Sequence, residues 1–308
     1  MSESFCRLLL EFYPKISEYE ELQSTYVANC VFNSFLCHTA IMLNIVTIYA
    51  IRRTSSLPKT LKTLLLSLAV SDVGVGLLGQ PLYISLLVMW LQQSSPGCNT
   101  YKGFLTVLAL FSLASFFGIV ALSLDRFLAI HLHLKYQELV THKRVVAVVI
   151  LIWVLSVFLS LMIWWVPFDV SGLCTLIFGL LGLLVIVGVY VRIYLVARRH
   201  KNQIAQVQRF AQTEEIANVA RVVKSAFGIF YVFLFLSICY LPSFIGMVVY
   251  QIYGPSIPLK KVMFFSWTLL NLNSSLNALI YCWKMTHIRQ AIFNILRNMS
   301  WLRNAWRL

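Results

Sequence analysis

Seven long apolar runs, separated by short polar connections, dominate the chain and span residues 28–51, 61–89, 101–130, 145–166, 173–196, 222–250 and 260–282. An α-helix needs about 20 mostly apolar residues to cross the hydrocarbon core of a bilayer, and each run is long enough. The runs are continuously apolar, without the alternation of transmembrane β-strands. The pattern predicts an all-α membrane protein, a seven-transmembrane helix bundle formed by residues 28–282.

Composition and charge agree with a membrane protein and orient it. Apolar residues make up 59% of the chain and charged residues 12%, which is too apolar for a soluble domain. Most of the 25 Lys and Arg residues lie after helices 1, 3, 5 and 7. Residues 1–27 are therefore predicted to be extracellular and residues 283–308 cytoplasmic. The anionic lipid bilayer accounts for the net charge of +14, so no nucleic acid is expected as a partner.

Two cysteines lie on the predicted outer side, where the environment is oxidising. Cys98 precedes the third apolar run, and Cys174 lies at the start of the fifth. A disulfide between them is predicted, and it would tether the connection before helix 5 to helix 3. Two buried free thiols are the alternative, because that connection is short.

Ionisable residues at membrane depth are costly and are therefore candidates for function. Asp72 lies in the middle of helix 2, and Asp125 and Arg126 lie at the end of helix 3. Oxygen-bearing side chains at a similar depth are Asn44, Ser115, Asn273, Ser274 and Asn277. With Asp72 they could bind a cation through their oxygens, or they could form a hydrogen-bond cluster that is only structural. Taken alone, Asp125 and Arg126 indicate an interfacial ion pair.

Landmark residues follow one another along the runs, one set in nearly every helix. They are Asn44, Leu-Ala-Val-Ser-Asp at 68–72, Asp125-Arg126-Phe127, Trp153, Cys-Tyr-Leu-Pro at 239–242 and Asn-Ala-Leu-Ile-Tyr at 277–281. This order resembles the rhodopsin-like (class A) G-protein-coupled receptors over essentially the whole chain. Residues 125–136 are similar to adenosine receptors, whereas the short second outer loop and proline-free helix 5 are similar to melanocortin receptors.

The resemblance implies a plasma-membrane receptor that passes an extracellular ligand signal to a heterotrimeric G protein. It implies an activation switch in which Asp125 holds Arg126 at rest and two tyrosines reach Arg126 in the active form. The switch residues are Asp125, Arg126, Phe127, Tyr190, Tyr281 and Asn277, with Tyr240 and Pro242 as a core switch in helix 6.

The resemblance also favours the cation interpretation of Asp72. The sodium pocket of the family maps onto Asp72, Ser115, Asn273 and Asn277. No other cofactor is expected.

A short amphipathic eighth helix is predicted on the inner leaflet after helix 7, and a disordered tail is the alternative. Its apolar positions are Ile288, Ile292, Phe293, Ile295 and Leu296, and its polar positions are Arg289, Gln290 and Arg297.

Several residues depart from the family pattern. Phe127 replaces a tyrosine, Tyr240 a tryptophan and Ala278 a proline, and helix 5 has no proline. Two expected kinks are therefore missing. Val222 offers no carboxylate to Arg126 from helix 6. Together these departures suggest a weakly held resting state, from which constitutive activity is hypothesised.

The ligand positions implied by the resemblance carry no charge, so an apolar or aromatic small molecule is expected. They include Leu108, Ser112, Tyr240, Ser243, Phe244, Met247, Trp267 and Asn271. Leu108 stands where a receptor for amines needs a carboxylate. Met247 replaces the asparagine that adenosine receptors use, and Asn271 replaces the lysine that binds retinal in opsins.

Other classes of membrane protein fit the chain less well. A transporter would show repeated halves with interrupted helices around a midplane site, and none is visible. An enzyme would need His, Cys or carboxylate residues clustered at one depth, and the six histidines are scattered. The chain is therefore not expected to be an enzyme. A transporter or an orphan, non-signalling seven-helix protein remains the alternative.

Overall fold

A computed structural model of the protein describes residues 15–55, 57–94, 96–132, 135–166, 168–207, 214–285, 288–293 and 297. Seven long helices account for most of this described part. They are α1 (Tyr19–Arg53), α2 (Lys59–Leu91), α3 (Cys98–His131), α4 (His142–Trp164), α5 (Phe168–Val207), α6 (Glu214–Tyr253) and α7 (Ile257–Lys284). A 3-10 turn, Ile16–Glu18, precedes α1, and a one-turn helix, Tyr136–Leu139, lies between α3 and α4.

The helices form the predicted seven-helix bundle. Helices α1 to α6 are long and apolar enough to cross a membrane. Helix α7 has 28 residues, but it carries a row of buried polar side chains that lowers its apolar content. It closes the ring by packing against both α6 and α1. The predicted fold class is confirmed.

Several helices extend beyond the apolar runs. Helix α1 begins at Tyr19 instead of residue 28, and α5 begins at Phe168 instead of residue 173. Backbone hydrogen bonding continues a helix into water, whereas apolar composition marks only the part that lipid or protein surrounds. The apolar runs therefore located the helices correctly and underestimated their lengths.

Helix α2 contains a π-helical segment, Val75–Gly79, immediately before Pro81. Proline has no backbone N–H and its ring crowds the preceding turn, so a wider turn accommodates it. The carbonyl of Gly76 in this segment accepts a 3.1 Å hydrogen bond from the Cys37 thiol of α1. The segment thus brings α2 against α1.

Residues 288–293 after α7 are helical. Ile288 is buried, whereas Phe293 is 62% exposed. Ile295 and Leu296 lie outside the described residues, so the full amphipathic helix and the domain boundary at 283 stay predictions.

Seven aromatic rings pack together at the end of the bundle that carries Glu18, which we term the Glu18 end. This aromatic cluster consists of Tyr26, Tyr83, Trp90, Tyr101, Phe104, Phe264 and Trp267. The rings come from α1, α2, α3 and α7, and ring centroids such as those of Trp90 and Phe264 lie 5.1 Å apart. The cluster fills the space between these four helices with offset and edge-on ring contacts.

Candidate functional site

Arg126 and Asp125 lie side by side at the opposite end of the bundle, which we term the Arg126 end. Both side chains are buried, and Arg126 donates to Oδ2 of Asp125 through Nε at 2.9 Å and through a second guanidinium nitrogen. Asp125 also accepts a 2.6 Å hydrogen bond at Oδ1 from the Tyr136 hydroxyl. The carboxylate is thus shared between α3 and the connection that follows it. Tyr136 was not among the predicted switch residues.

Tyr190, Tyr281 and Phe127, three of the other predicted switch residues, make no hydrogen bond to Arg126. The Tyr190 hydroxyl accepts a 3.5 Å hydrogen bond from Ser123, and its ring lies 4.8 Å from that of Phe230. Tyr281 is buried and its hydroxyl has no hydrogen-bond partner among the described residues. The Phe127 ring stacks on His131. Arg126 therefore has the pairing that the resemblance implies for the resting form.

A cation–π contact joins α6 and α7 near the Arg126 end. The ammonium of Lys284 lies 3.8 Å from the ring centroid of Tyr231 on α6 and 3.5 Å from that of Trp283. The side chain of Val222, which offers no carboxylate to Arg126, lies outside the described part of the structure. Sequence reasoning did not single out Lys284 because cation–π partners have no fixed spacing along the chain.

Asp72 is fully buried, and Asn277 contacts it. The Asn277 amide nitrogen lies 3.1 Å from Oδ2 and 3.4 Å from Oδ1 of Asp72. Ser115 and Ser274 also hydrogen-bond to Asp72, and Ser115 shares a 3.0 Å hydrogen bond with Ser71. The amide oxygens of Asn273 and Asn277 are buried without a hydrogen-bond partner in the described residues. A buried carboxylate beside orphaned amide oxygens fits a hard cation, which prefers oxygen ligands.

A cavity of about 230 Å³ lies between α3, α4, α5, α6 and α7. None of its lining residues carries a charge. Seven of the eight predicted ligand-pocket residues line it: Leu108, Ser112, Tyr240, Ser243, Phe244, Met247 and Trp267. Tyr240 also closes its floor by donating a 3.1 Å hydrogen bond from its hydroxyl to the carbonyl of Ser112. The adjacent Pro242 lies inside α6.

Asn271, the eighth predicted pocket residue, does not line the cavity. Its amide nitrogen donates a 2.8 Å hydrogen bond to the Asn33 amide oxygen on α1. One residue along α7 is a rotation of about 100°, so Leu270 faces the cavity while Asn271 faces α1. The placement of Asn271 in the ligand pocket was therefore wrong.

Asn271 belongs to a polar seam along the α1–α7 contact, formed by Asn29, Asn33, Thr268, Asn271, Thr39 and Ser275. Asn33 donates a 2.7 Å hydrogen bond to Thr268, which in turn donates to Asn29. Thr39 and Ser275 continue the seam at 3.1 Å. Sequence reasoning missed it, although the spacing of Asn29 and Asn33 on one helical face is a usable signal.

At the Glu18 end, an ion pair links α7 to the turn that precedes α1. Lys260 of α7 is buried and donates a 2.6 Å hydrogen bond to the Glu18 carboxylate. Tyr19 donates a 3.1 Å hydrogen bond to the carbonyl of Leu91 on α2. The start of α1 is thus tied to two other helices. Glu18 lay in the segment that the sequence placed before the bundle, so the ion pair was not foreseen.

The predicted Cys98–Cys174 disulfide is wrong. Cys174 is a free, partly buried thiol in α5, and Cys98 is disulfide-bonded to a partner outside the described residues. Helix α5 begins at Phe168, so Cys174 lies within its second turn instead of in a loop. Because Cys174 is fixed on a helix, it cannot move toward Cys98 as a cysteine in a flexible connection could.

Comparison with known proteins identifies a matching family and several similar receptors. Residues 43–281 match the family described as 7 transmembrane receptor (rhodopsin family). The chain is 25% identical to the adenosine receptor A2b of Gallus gallus, over 89% of each chain. It is 26% identical to the adenosine receptor A2a of Homo sapiens, over 84% of this chain and 69% of that receptor. It is also 25% identical to the adenosine receptor A3 of Ovis aries, over 84% and 86%.

Proposed function

The chain belongs to the rhodopsin family of seven-transmembrane, G-protein-coupled receptors, and from that premise we propose that Asp125 and Arg126 switch its coupling to a heterotrimeric G protein. The observation that carries this proposal is the buried pair itself, which Tyr136 completes from the following connection. An arginine held by a neighbouring carboxylate is available to another partner once the pair opens. The resemblance assigns that partner role to the G protein.

The proposed orientation places the Glu18 end outside the cell and the Arg126 end in the cytoplasm. The support is the excess of Lys and Arg in the connections at the Arg126 end. An epitope tag before Lys15 would be stained on intact cells in this orientation. Staining only after permeabilisation would reverse it.

The proposed ligand is small, uncharged and largely apolar. The lining of the cavity supports this, because its polar side chains are hydroxyl-bearing residues and Trp267, and no side chain carries a charge. The relatives are adenosine receptors by name. Adenosine is disfavoured for this chain because the thioether of Met247 lines the cavity where those receptors use an asparagine amide.

The coupling proposal is tested by second-messenger output without added ligand. Cells would express the wild type, Arg126→Ala or Arg53→Ala at matched surface levels, with cAMP and calcium as readouts. Arg53 is a control because it is an exposed arginine at the end of α1, away from α3. Basal output that disappears with Arg126→Ala and persists with Arg53→Ala supports both the switch and constitutive activity. Basal output that survives Arg126→Ala contradicts the switch.

A sodium ion is proposed at Asp72, with Asn273 and Asn277 as further oxygen ligands and Ser115 at the edge of the site. The support is the buried carboxylate, for which the described residues supply no cationic side chain, and the two orphaned amide oxygens. A ligand that binds only the folded state raises its stability. NaCl should therefore raise the unfolding temperature more than choline chloride does, and Asp72→Asn should abolish the difference. Equal effects of the two salts on the wild type would contradict the site.

A further inference from the structure

The cavity is displaced toward one side of the bundle. Helices α1 and α2 contribute nothing to its lining. At the Glu18 end, the aromatic cluster occupies the space between α1, α2, α3 and α7, and rings such as Tyr83 and Phe264 in it are completely buried. A ligand in the cavity is thus flanked by packed aromatic rings on one side and by α4 and α5 on the other.

The α4–α5 side is the weakly packed side of the bundle. The main packing partners of α5 are α3, α6 and the turn Met162–Trp164 at the end of α4. The body of α4 packs mainly on α2 and α3. Helix α5 also has the smallest buried share of the six candidate spans. Few contacts therefore hold the bodies of α4 and α5 together.

The cavity lining extends between these two helices. Leu159 and Ser160 of α4 and Thr175 and Gly179 of α5 line it. Large apolar side chains beside them face outward, and Phe158 is 58% exposed and Leu173 58% exposed. The rim between α4 and α5 is therefore apolar on its outer side, as expected where a surface meets lipid hydrocarbon.

Size and polarity narrow the class of ligand. A volume of about 230 Å³ lies below the roughly 300–1,000 Å³ of ordinary small-molecule sites, so a ligand of usual size must extend beyond the cavity. The hydroxyls of Ser112 and Ser243 line the cavity. The Ser243 hydroxyl makes no hydrogen bond to other described residues, and the Ser112 hydroxyl bonds to Tyr240 alone. A serine hydroxyl can donate one hydrogen bond and accept two, so both side chains keep capacity for an uncharged polar group. A charged group would find no counter-ion in the lining.

We propose that the ligand is an uncharged single-chain lipid that enters from the bilayer between α4 and α5. Its hydroxyl or amide head would bond to Ser112 and Ser243, and its chain would pass Ser160 and Thr175 into the surrounding hydrocarbon. This inference rests on the proposed receptor function and specifies its ligand. An uncharged head can cross hydrocarbon at far lower cost than a charged one.

The test uses the full chain in lipid nanodiscs that contain a monoacylglycerol with a photoreactive diazirine at the end of its chain next to the head group. Illumination followed by mass spectrometry locates the labelled peptides. Mouth variants Ser160→Phe and Thr175→Phe place a ring in the α4–α5 opening. Control variants Val157→Phe and Leu181→Phe add the same ring at lipid-facing positions on the same helices. Labelling that an excess of monoacylglycerol without the diazirine suppresses is specific, and we term it competable.

The expected result is competable labelling of the α3 and α6 walls, reduced roughly tenfold by the mouth variants and unchanged by the controls. If the bulky variants fail to fold, Ser112→Ala with Ser243→Ala tests the head-group contacts without adding volume, and it should reduce competable labelling. Labelling spread evenly over the lipid-facing surface would overturn the proposal. So would labelling that neither the two mouth substitutions nor the two serine-to-alanine substitutions change. Labelling needs no G protein, so a failure of the labelling test does not affect the Arg126 switch. A failure of the second-messenger test likewise does not affect the proposed lipid site.

Discussion

The Tyr136 hydroxyl donates a 2.6 Å hydrogen bond to Oδ1 of Asp125, while Arg126 occupies Oδ2 of the same carboxylate. Tyr136 lies in the one-turn helix between α3 and α4. Burial raises the pKa of the Tyr136 hydroxyl to about 12, helped by the nearby charge of Asp125 and by the hydrogen bond. The hydroxyl therefore stays protonated, and remains a donor, throughout the physiological pH range.

Replacing Tyr136 should loosen the resting pair. Tyr136→Phe removes a hydrogen bond to a charged group, worth about 1.5–3 kcal/mol, and frees the connection from α3. We expect a lower unfolding temperature and a basal cAMP or calcium signal above that of the wild type. Tyr194→Phe makes the same chemical change on an exposed side chain of α5 and should leave both unchanged. A Tyr136→Phe receptor with wild-type stability and basal output would show that the hydrogen bond is not needed.

The cation–π contact of Lys284 is expected to hold α6 against α7 at rest. Such contacts contribute about 0.5–2 kcal/mol, depending on their exposure to water. Lys284→Met removes the charge and should raise basal output severalfold, whereas Lys284→Arg retains a cation and should behave more like the wild type. Surface expression must be matched by antibody staining. Equal output from Lys284→Met and Lys284→Arg would argue against a role for the charge.

The polar seam should stabilise the α1–α7 contact. Asn33→Ala removes two donors and the oxygen that accepts from Asn271, leaving a buried amide unpaired. Hydrogen bonds between membrane helices contribute about 0.6 kcal/mol on average and up to about 1.7, so a clear fall in unfolding temperature is expected. Ser34→Ala is the matched control, because that exposed hydroxyl bonds only within α1. Thermal unfolding in nanodiscs compares the unfolding temperatures of the two variants. An equal effect of both substitutions would show that the polar seam does not contribute to stability.

The Glu18–Lys260 ion pair should make stability depend on acid. Burial alone would raise the pKa of Glu18, but the hydrogen bonds from Lys260 and the Lys15 backbone, and both lysine charges, bring it below its usual 4.5. A lowered folded pKa means that the pair stabilises the protein above pH 4.5 and that this contribution disappears as pH falls through the lowered value.

The unfolding temperature of the wild type should therefore fall on acidification below pH 4.5, and Glu18→Gln should lose that part of the dependence. Glu20→Gln, an exposed change two positions along, should keep it. Parallel pH profiles for the wild type and Glu18→Gln would show that the ion pair adds nothing to stability.

Much of this protein follows from its sequence. Lipid offers no hydrogen bonds to the backbone, so each apolar run of sufficient length had to become a helix, and seven runs predicted seven helices. The same reasoning identified Asp72, Asp125 and Arg126 as candidates for function, because a charged side chain at membrane depth is energetically costly. Adjacency in the chain also brought Asp125 and Arg126 within reach of each other.

What the sequence could not decide is how each helix is rotated and which neighbour it meets. Asn271 faces α1 and not the cavity, Lys260 pairs with Glu18, and Cys174 lies on a helix without reaching Cys98. Helical periodicity places residues on a common face, but the direction of that face depends on packing against all the other helices at once. The weakly packed side between α4 and α5 is a property of that packing, and only the tertiary structure contains it.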